Sequence, residues 1–137
     1  MHAVVESFLS GFPVLMLHSS VTLAMLAVAV VVYIRITPYD DIALIRDGNQ
    51  AVAVSLSAAL LGLAVPLAFC MATSVSVWDI VVWGAVTLFL QLVAYRVVDL
   101  LLRGLPQRIQ NGEISAATFL ASVKLGTAAI NAAAVVG

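Results

Sequence analysis

The stretch AVAVSLSAALLGLAVPLAFCMATSVSV, residues 51–77, contains no charged side chain and decides the fold. A helix needs about 20 apolar residues to cross the roughly 30 Å hydrocarbon core of a bilayer. Three further stretches are nearly as apolar. They are residues 12–36, with one charge at Arg35, residues 80–95, which are uncharged and continued by 97–102, and residues 114–136, with only Lys124 charged. Since lipid cannot satisfy exposed backbone polar groups, we predict that all four cross the membrane as α-helices.

The composition agrees with a membrane protein. Hydrophobic residues make up 64% of the 137 residues and charged residues only 9%, with a mean hydropathy of +1.16. Soluble domains carry about 25% charged residues. The chain is therefore predicted to be one integral membrane domain, residues 1–137, with a lipid bilayer as its surroundings. A net charge of −1 provides no basic surface for nucleic acid.

The sequence contains no pattern that is typical of a catalytic site. There is no Gly-rich phosphate loop, no HExxH and no Gly-x-Ser-x-Gly elbow. Cys70 is the single cysteine, which excludes an intrachain disulfide and a cysteine-based metal cluster. We therefore predict a protein that is not an enzyme and that has no cofactor, metal or catalytic residue.

The arginines are distributed unevenly among the links between the predicted spans. The first link and the third link contain all five of them, Arg35, Arg46, Arg96, Arg103 and Arg108. The middle link, residues 73–79, contains none. Because cytoplasmic loops retain Lys and Arg, we predict that links one and three are cytoplasmic and that both termini are periplasmic.

A shift of 64 residues reveals an internal repeat. Residues 45–51 fall over residues 109–115, and Gly62 falls over Gly126. Each half, about 12–72 and about 78–136, is a helix, a short link and a second helix. Each half crosses the membrane twice, so we predict two parallel two-helix repeats related by an axis along the membrane normal.

The first link carries signals for helix ends. Thr37-Pro38-Tyr39-Asp40 predicts a helix start with Thr37 as its cap, and the short helix that follows is expected to run through Arg46. The candidate helix-cap and cytoplasmic hairpin motif consists of Asp47, Gly48, Asn49, Gly112 and Glu113. Each glycine is expected to end a short helix, with Asn49 capping the next span and Glu113 at the equivalent position.

These residues carry a resemblance to a known family. The run IRDGNQAVA, residues 45–53, precedes Gly62 and Pro66, and Gly126 and the Asn131-Ala-Ala segment follow near the end. The whole chain resembles the YjfL-like bacterial inner-membrane proteins, the domain-of-unknown-function 350 family. The resemblance implies a bacterial cytoplasmic-membrane protein. It implies no reaction, substrate or cofactor, so no catalytic residue carries over.

Lys124 is the most informative single residue. It lies about 15 Å into its helix, near the bilayer centre, where a lysine costs roughly 2.5–3.5 kcal/mol. Three interpretations are open: the lysine locks helix packing, it lines a path for ions or solutes, or it is neutral because burial disfavours the charged form. Counting residues along the helices places Gln91 at the same depth in the bilayer as Lys124. It places no carboxylate of the chain at that depth. We therefore expect Gln91 with water, or a counter-ion from a neighbouring subunit or ligand, as its partner. Asn131 lies on the same face as Lys124 and completes this candidate pore or intramembrane polar site.

A second candidate site is the rim cluster of Arg96, Asp99 and Arg103. Their spacing of three and four residues predicts an ion-pair cluster on a helix at the cytoplasmic edge. Such a cluster either anchors the helix depth or binds an anion or a lipid headgroup.

Small residues at four-residue spacing favour close helix contact. They occur as Ala58-xxx-Gly62, Ser122-xxx-Gly126 and Ala129-xxx-Ala133. We predict a homo-oligomer with a cytoplasmic or membrane protein partner. Two functions remain open. The first is a non-enzymatic oligomeric membrane scaffold or envelope-stress component. The alternative is a homo-oligomeric channel or small transporter for ions or small solutes that uses the polar site around Lys124.

Overall fold

The computed structural model describes residues 1–73 and 77–136, and this part of the chain is helical with no strand. Four long helices and two short ones follow in the order α1 His2–Ile36, α2 Asp41–Arg46, α3 Gln50–Thr73, α4 Val77–Leu101, α5 Leu105–Gln110 and α6 Ile114–Val136. The four long helices are each long and apolar enough to cross a membrane. The all-α fold with four membrane-spanning helices is confirmed. Of the predicted middle link, residues 73–79, residues 74–76 lie outside the described residues. Thr73 is the last residue of α3, and residues 77–79 form the first turn of α4.

Helix α1 is longer than the sequence predicts. It has 35 residues, about 52 Å, and begins ten residues before the apolar stretch. The helix extends to His2 because residues 2–11 contain no proline and only one glycine, Gly11. Only Ala29 and Tyr33 of α1 are buried. Val21, Met25 and Leu26 are partly buried against the bundle, so α1 contacts it through its second half.

Helix α3 lies at the centre of the bundle and packs against α1, α4 and α6. One apolar cluster lies at the end near α2 and α5 and includes Val52, Val98 and Leu120. A smaller one lies towards the other end and contains Leu67, Cys70 and Ile80. The buried polar side chains of the long helices are Ser55, Thr87, Gln91, Lys124 and Asn131. They therefore form a polar layer within an otherwise apolar core.

The two short helices lie at one end of the bundle, called here the hairpin end. Gly48 and Gly112 follow them with φ of 88° and 81°. In each turn the glycine N–H donates to the carbonyl three residues earlier, and the next N–H donates to the carbonyl five residues earlier. Both turns are Schellman motifs, which glycine favours because it adopts positive φ without strain. The turns share one local geometry at the 64-residue offset; the two-repeat arrangement of the spans remains a prediction.

The start of α2 differs from the prediction. Thr37 is the C-cap of α1, and α2 begins at Asp41 with Asp40 as its N-cap. The Asp40 carboxylate accepts from the Ala43 N–H at 3.1 Å. The predicted cap at Thr37 is wrong because α1 continues to Ile36 and leaves Thr37 in extended backbone at its end. The cap passes to Asp40, a stronger N-cap than threonine.

Candidate functional site

Lys124 lies in the polar layer with no exposed surface. Its ammonium donates to the Ser55 carbonyl oxygen at 3.1 Å, to Ser55 Oγ at 3.0 Å and to the Tyr33 hydroxyl. An ammonium has three N–H donors, so three oxygens from α1 and α3 saturate it. The ring centroid of Tyr95 lies 5.7 Å from Lys124 Nζ, within the range of a cation–π contact. The buried cation is therefore solvated by groups of its own chain.

The expected partner of the ammonium is wrong. Gln91 is fully buried beside Lys124, but its amide Nε2 donates to the backbone carbonyl of Lys124 at 3.0 Å and does not contact the ammonium. Neither a water molecule nor a second subunit is needed to complete the three donor bonds. The prediction failed because residue counting finds groups at one depth but not the helices that face each other. Tyr33 and Ser55 occupy the facing positions.

Asn131 lies on the same face of α6, two turns after Lys124. Its side-chain Nδ2 donates to Thr87 Oγ1 at 2.8 Å, and that hydroxyl donates to the Trp83 carbonyl at 2.8 Å. The structure therefore brings Lys124 and Gln91 together through the α6 backbone, whereas Asn131 binds α4 separately. Each of the three predicted residues joins α6 to a neighbouring helix.

Sequence reasoning missed Asp41. Its side chain is 1% exposed and accepts a hydrogen bond from the Thr37 hydroxyl. Burial raises the pKa of the Asp41 carboxyl, and the bond from Thr37 and the charge of Lys124 oppose that rise without cancelling it. The signal was its position in α2. Asp41 precedes Leu44 and Ile45 by three and four residues, so it shares the face that those apolar residues turn towards the core.

Asn49 joins the two hairpins. Its side-chain oxygen accepts from the Val52 N–H at 3.0 Å, which caps α3. Its side-chain nitrogen donates to the Gln110 carbonyl at 2.8 Å, at the C-terminal end of α5. One amide therefore satisfies free backbone groups at the start of one helix and the end of another. A cap recognised from sequence has a second function that the sequence does not reveal.

The other hairpin residues have local roles. Asp47 is the exposed C-cap of α2. Glu113 accepts two hydrogen bonds from the Arg108 guanidinium, including Nε to Oε2 at 2.8 Å. That bidentate contact is a half-exposed ion pair and lowers the pKa of the Glu113 carboxyl. Glu113 thus contacts its own hairpin, while Asn49 reaches across to the other one.

We expect Asn49→Ala to lower the free energy of unfolding by about 1–2 kcal/mol, because it removes the α3 cap and the contact to α5 together. Asn49→Asp keeps an acceptor for the Val52 N–H but places a negative charge against the Gln110 carbonyl. It should therefore recover little of the loss. Denaturation by SDS in mixed micelles measures both changes. Full stability in Asn49→Asp would contradict a role for the donated hydrogen bond.

The predicted ion-pair cluster at the rim is wrong. No ion pair joins Arg96, Asp99 and Arg103 within residues 1–73 and 77–136. Helix α4 ends at Leu101, so Arg103 leaves the helical register that would have placed it near Asp99. Arg96 and Asp99 instead line a pocket of about 280 Å³ between α1, α4 and α5. Tyr33 and Tyr95 form its inner wall.

Comparison with known proteins identifies the family. The family described as Domain of Unknown Function (DUF350) matches residues 7–135. The UPF0719 inner membrane protein YjfL of Escherichia coli strain K12 is 32% identical over 110 residues, which cover 80% of this chain and 83% of that protein. The same protein of Escherichia coli O157:H7 shows the same identity and coverage. No solved structure matches the chain. Four membrane-spanning helices and these matches together place the chain in the DUF350 family of multi-pass inner-membrane proteins.

Proposed function

We propose that this chain is a non-enzymatic scaffold of the inner membrane that assembles with copies of itself through α6. The observation that carries the proposal is an unused stripe of small residues along that helix. Ser122, Gly126, Ala129 and Ala133 lie on one face and are all exposed. A Cβ added at Gly126 would meet no atom within 4 Å. Small residues allow helix backbones to approach closely in lipid.

The contrast with α3 supports this interpretation. The Ala58-xxx-Gly62 pair, with the same spacing, is buried inside the bundle. A Cβ at Gly62 would lie 2.8 Å from Gln91 Nε2. One small-residue pair is therefore used within the protomer, and the stripe on α6 remains available for a second copy.

The hydrogen bonds within the polar layer favour a scaffold over a channel or small transporter, called here a conduit. The Lys124 ammonium makes its three hydrogen bonds within the chain, and Asn131 is bonded to Thr87. A group that lines a water-filled path keeps capacity for water or a solute. The Lys124 ammonium has no such capacity left, so the side chain is part of the contact between α6, α1 and α3.

A homo-oligomeric conduit is the second candidate, because the buried polar groups extend across the core. They run from Asp41 at the hairpin end through Lys124 and Gln91 to Asn131. Gln91 Oε1 has no hydrogen-bond partner among the described residues. A proton path or an ion path would require this layer to open towards an axis between protomers.

Replacing Gly126 with leucine tests the proposal, because the position is exposed, its Cβ would meet no atom of the protomer, and the larger side chain would obstruct close contact with a second copy. We expect native mass spectrometry in mild detergent and in lipid nanodiscs to show the wild type as an oligomer and Gly126→Leu as a monomer. Ala85→Leu, an exposed small residue on α4, is the matched control and should remain oligomeric. A monomeric wild type in both media would contradict the scaffold.

Proteoliposome flux separates the two candidates. The scaffold predicts no proton or potassium flux in wild-type vesicles above that of protein-free vesicles. The conduit predicts a flux that Lys124→Met abolishes. Flux that is present and unchanged in Lys124→Met would contradict both the scaffold and a conduit built on this residue.

A further inference from the structure

The pocket at the hairpin end lies where the spans end. Its walls come from Ile36 and Thr37 at the end of α1, from Tyr95, Arg96 and Asp99 on α4, and from Pro106 on α5. We place the boundary between hydrocarbon and headgroups at the last residue of α1 and the last turns of α4, because the apolar stretches end there. The cavity of about 280 Å³ is therefore at the level of phospholipid headgroups.

Two opposite charges face this pocket without neutralising each other. Arg96 and Asp99 both line it, and neither forms an ion pair with any residue in the described ranges. A guanidinium binds phosphate oxygens through paired N–H donors. The carboxylate of Asp99 would repel a purely anionic headgroup but would accept hydrogen bonds from an ammonium. The pair therefore matches a zwitterion that carries a phosphate and a primary ammonium.

Tyr95 provides an independent observation. It lines the pocket and is only 7% exposed. Its hydroxyl lies beside that of Tyr39, and neither of these two hydroxyls makes a hydrogen bond of normal geometry among the residues that the structure describes. A buried hydroxyl that lacks a well-formed hydrogen bond is unfavourable. A phosphate oxygen held by Arg96 would supply the missing acceptor.

The apolar wall distinguishes a lipid from a soluble molecule. Ile36 is 52% exposed, and Leu92 lies beside it on the wall of the pocket. Both belong to spans, so acyl chains would pass along them while the headgroup occupies the polar part of the cavity. A free phosphate ester would leave this apolar wall uncovered.

We propose that the pocket of Arg96, Asp99 and Tyr95 binds a phospholipid with a phosphoethanolamine headgroup. Arg96 and Tyr95 hold the phosphate, and Asp99 selects the ammonium. Binding closes the gap between α1, α4 and α5 and holds the hairpin end at the bilayer surface. This site is independent of the small-residue face on α6 and of any oligomeric state.

Native mass spectrometry of the full chain, delipidated and then titrated with single lipids, tests the site. The wild type should retain phosphatidylethanolamine about tenfold more tightly than phosphatidylglycerol or phosphatidylcholine. Asp99→Asn should remove the preference over phosphatidylglycerol. Arg96→Gln should weaken retention of phosphatidylethanolamine and of phosphatidylglycerol about tenfold each. Arg103→Gln, an exposed arginine outside the pocket, is the control and should bind as the wild type does.

Several outcomes would overturn the proposal. These are equal retention of the three lipids by the wild type, unchanged selectivity in Asp99→Asn, and equally tight binding of soluble glycerophosphoethanolamine or inorganic phosphate. The selectivity of the wild type is measured without any variant, so a variant that fails to fold leaves the test intact. Photocrosslinking with a phosphatidylethanolamine that carries a diazirine on its acyl chain close to the glycerol, and that keeps its ammonium free, provides a second measurement. Labelling should map to α4 and the end of α1, and labelling confined to α6 would contradict the site.

Discussion

Lys124→Ala is expected to lower the free energy of unfolding by about 2–5 kcal/mol, the cost of truncating a large buried side chain. Lys124 is among the largest fully buried side chains, and its aliphatic stem fills space between α6 and α3. Alanine would leave a cavity and would remove the donor to the Tyr33 hydroxyl and to Ser55. SDS denaturation or thermal unfolding in mild detergent measures the loss.

Lys124→Met is the matched control, because methionine keeps most of the volume and removes the charge. Replacing a buried charged group with an apolar residue of similar size is often neutral or stabilising, since the desolvation penalty disappears. The hydroxyls of Tyr33 and Ser55 lie side by side around the ammonium, so a small movement lets them bond to each other once it is gone. We expect Lys124→Met to unfold within about 1 kcal/mol of the wild type. A loss as large as that of Lys124→Ala would show that the charge itself holds the bundle together.

The spans could be predicted from sequence because the physics of the bilayer acts on composition alone. An uncharged stretch as long as residues 51–77 is typical of a membrane span, and α3 covers most of it. The turns at Gly48 and Gly112 could also be predicted from sequence, because a backbone position with positive φ favours glycine. Each of these predictions depends on a residue and its close neighbours in the chain.

The contacts of the candidate site depend on which helices are adjacent, and the sequence does not contain that information directly. The burial of Lys124 follows from its place in an apolar run, but its bonds to Tyr33 and Ser55 require α1, α3 and α6 to meet at one level. Asp41 shows the same limit. Its burial depends on the path of the chain after Thr37, which brings α2 back against α3.

The rim shows how one helix end changes a site. Residues 96, 99 and 103 form a plausible ion-pair cluster only if α4 continues through Arg103. Gly104 adopts a φ of 72°, and the helix ends at Leu101. Gly104, directly after Arg103, was the sequence signal for this helix end, since glycines in the left-handed conformation commonly follow the ends of helices. With the cluster absent, Arg96 and Asp99 are free to face the pocket.

Gly62 and Gly126 occupy equivalent positions at the 64-residue offset but have opposite surroundings, which makes them a controlled pair. A Cβ at Gly62 would lie 2.8 Å from Gln91 Nε2 and 3.0 Å from Gln91 Cδ. A Cβ at Gly126 would meet nothing within 4 Å. Gly62→Ala should lower the free energy of unfolding by about 1–3 kcal/mol through overpacking. Gly126→Ala should leave it unchanged or raise it by up to about 1 kcal/mol, because alanine favours helix.

A double-mutant cycle identifies the cause of the Gly62→Ala loss. The atoms that a new Cβ would meet are at the end of the Gln91 side chain, which can move only by giving up its hydrogen bond to the Lys124 carbonyl. In a Gln91→Ala background that conflict is absent. Gly62→Ala should then cost at least about 1 kcal/mol less than in the wild type, a coupling typical of residues in contact. Equal costs in both backgrounds would show that α3 and α4 resist the methyl group through their backbones, and that the approach of these two helices is fixed without Gln91.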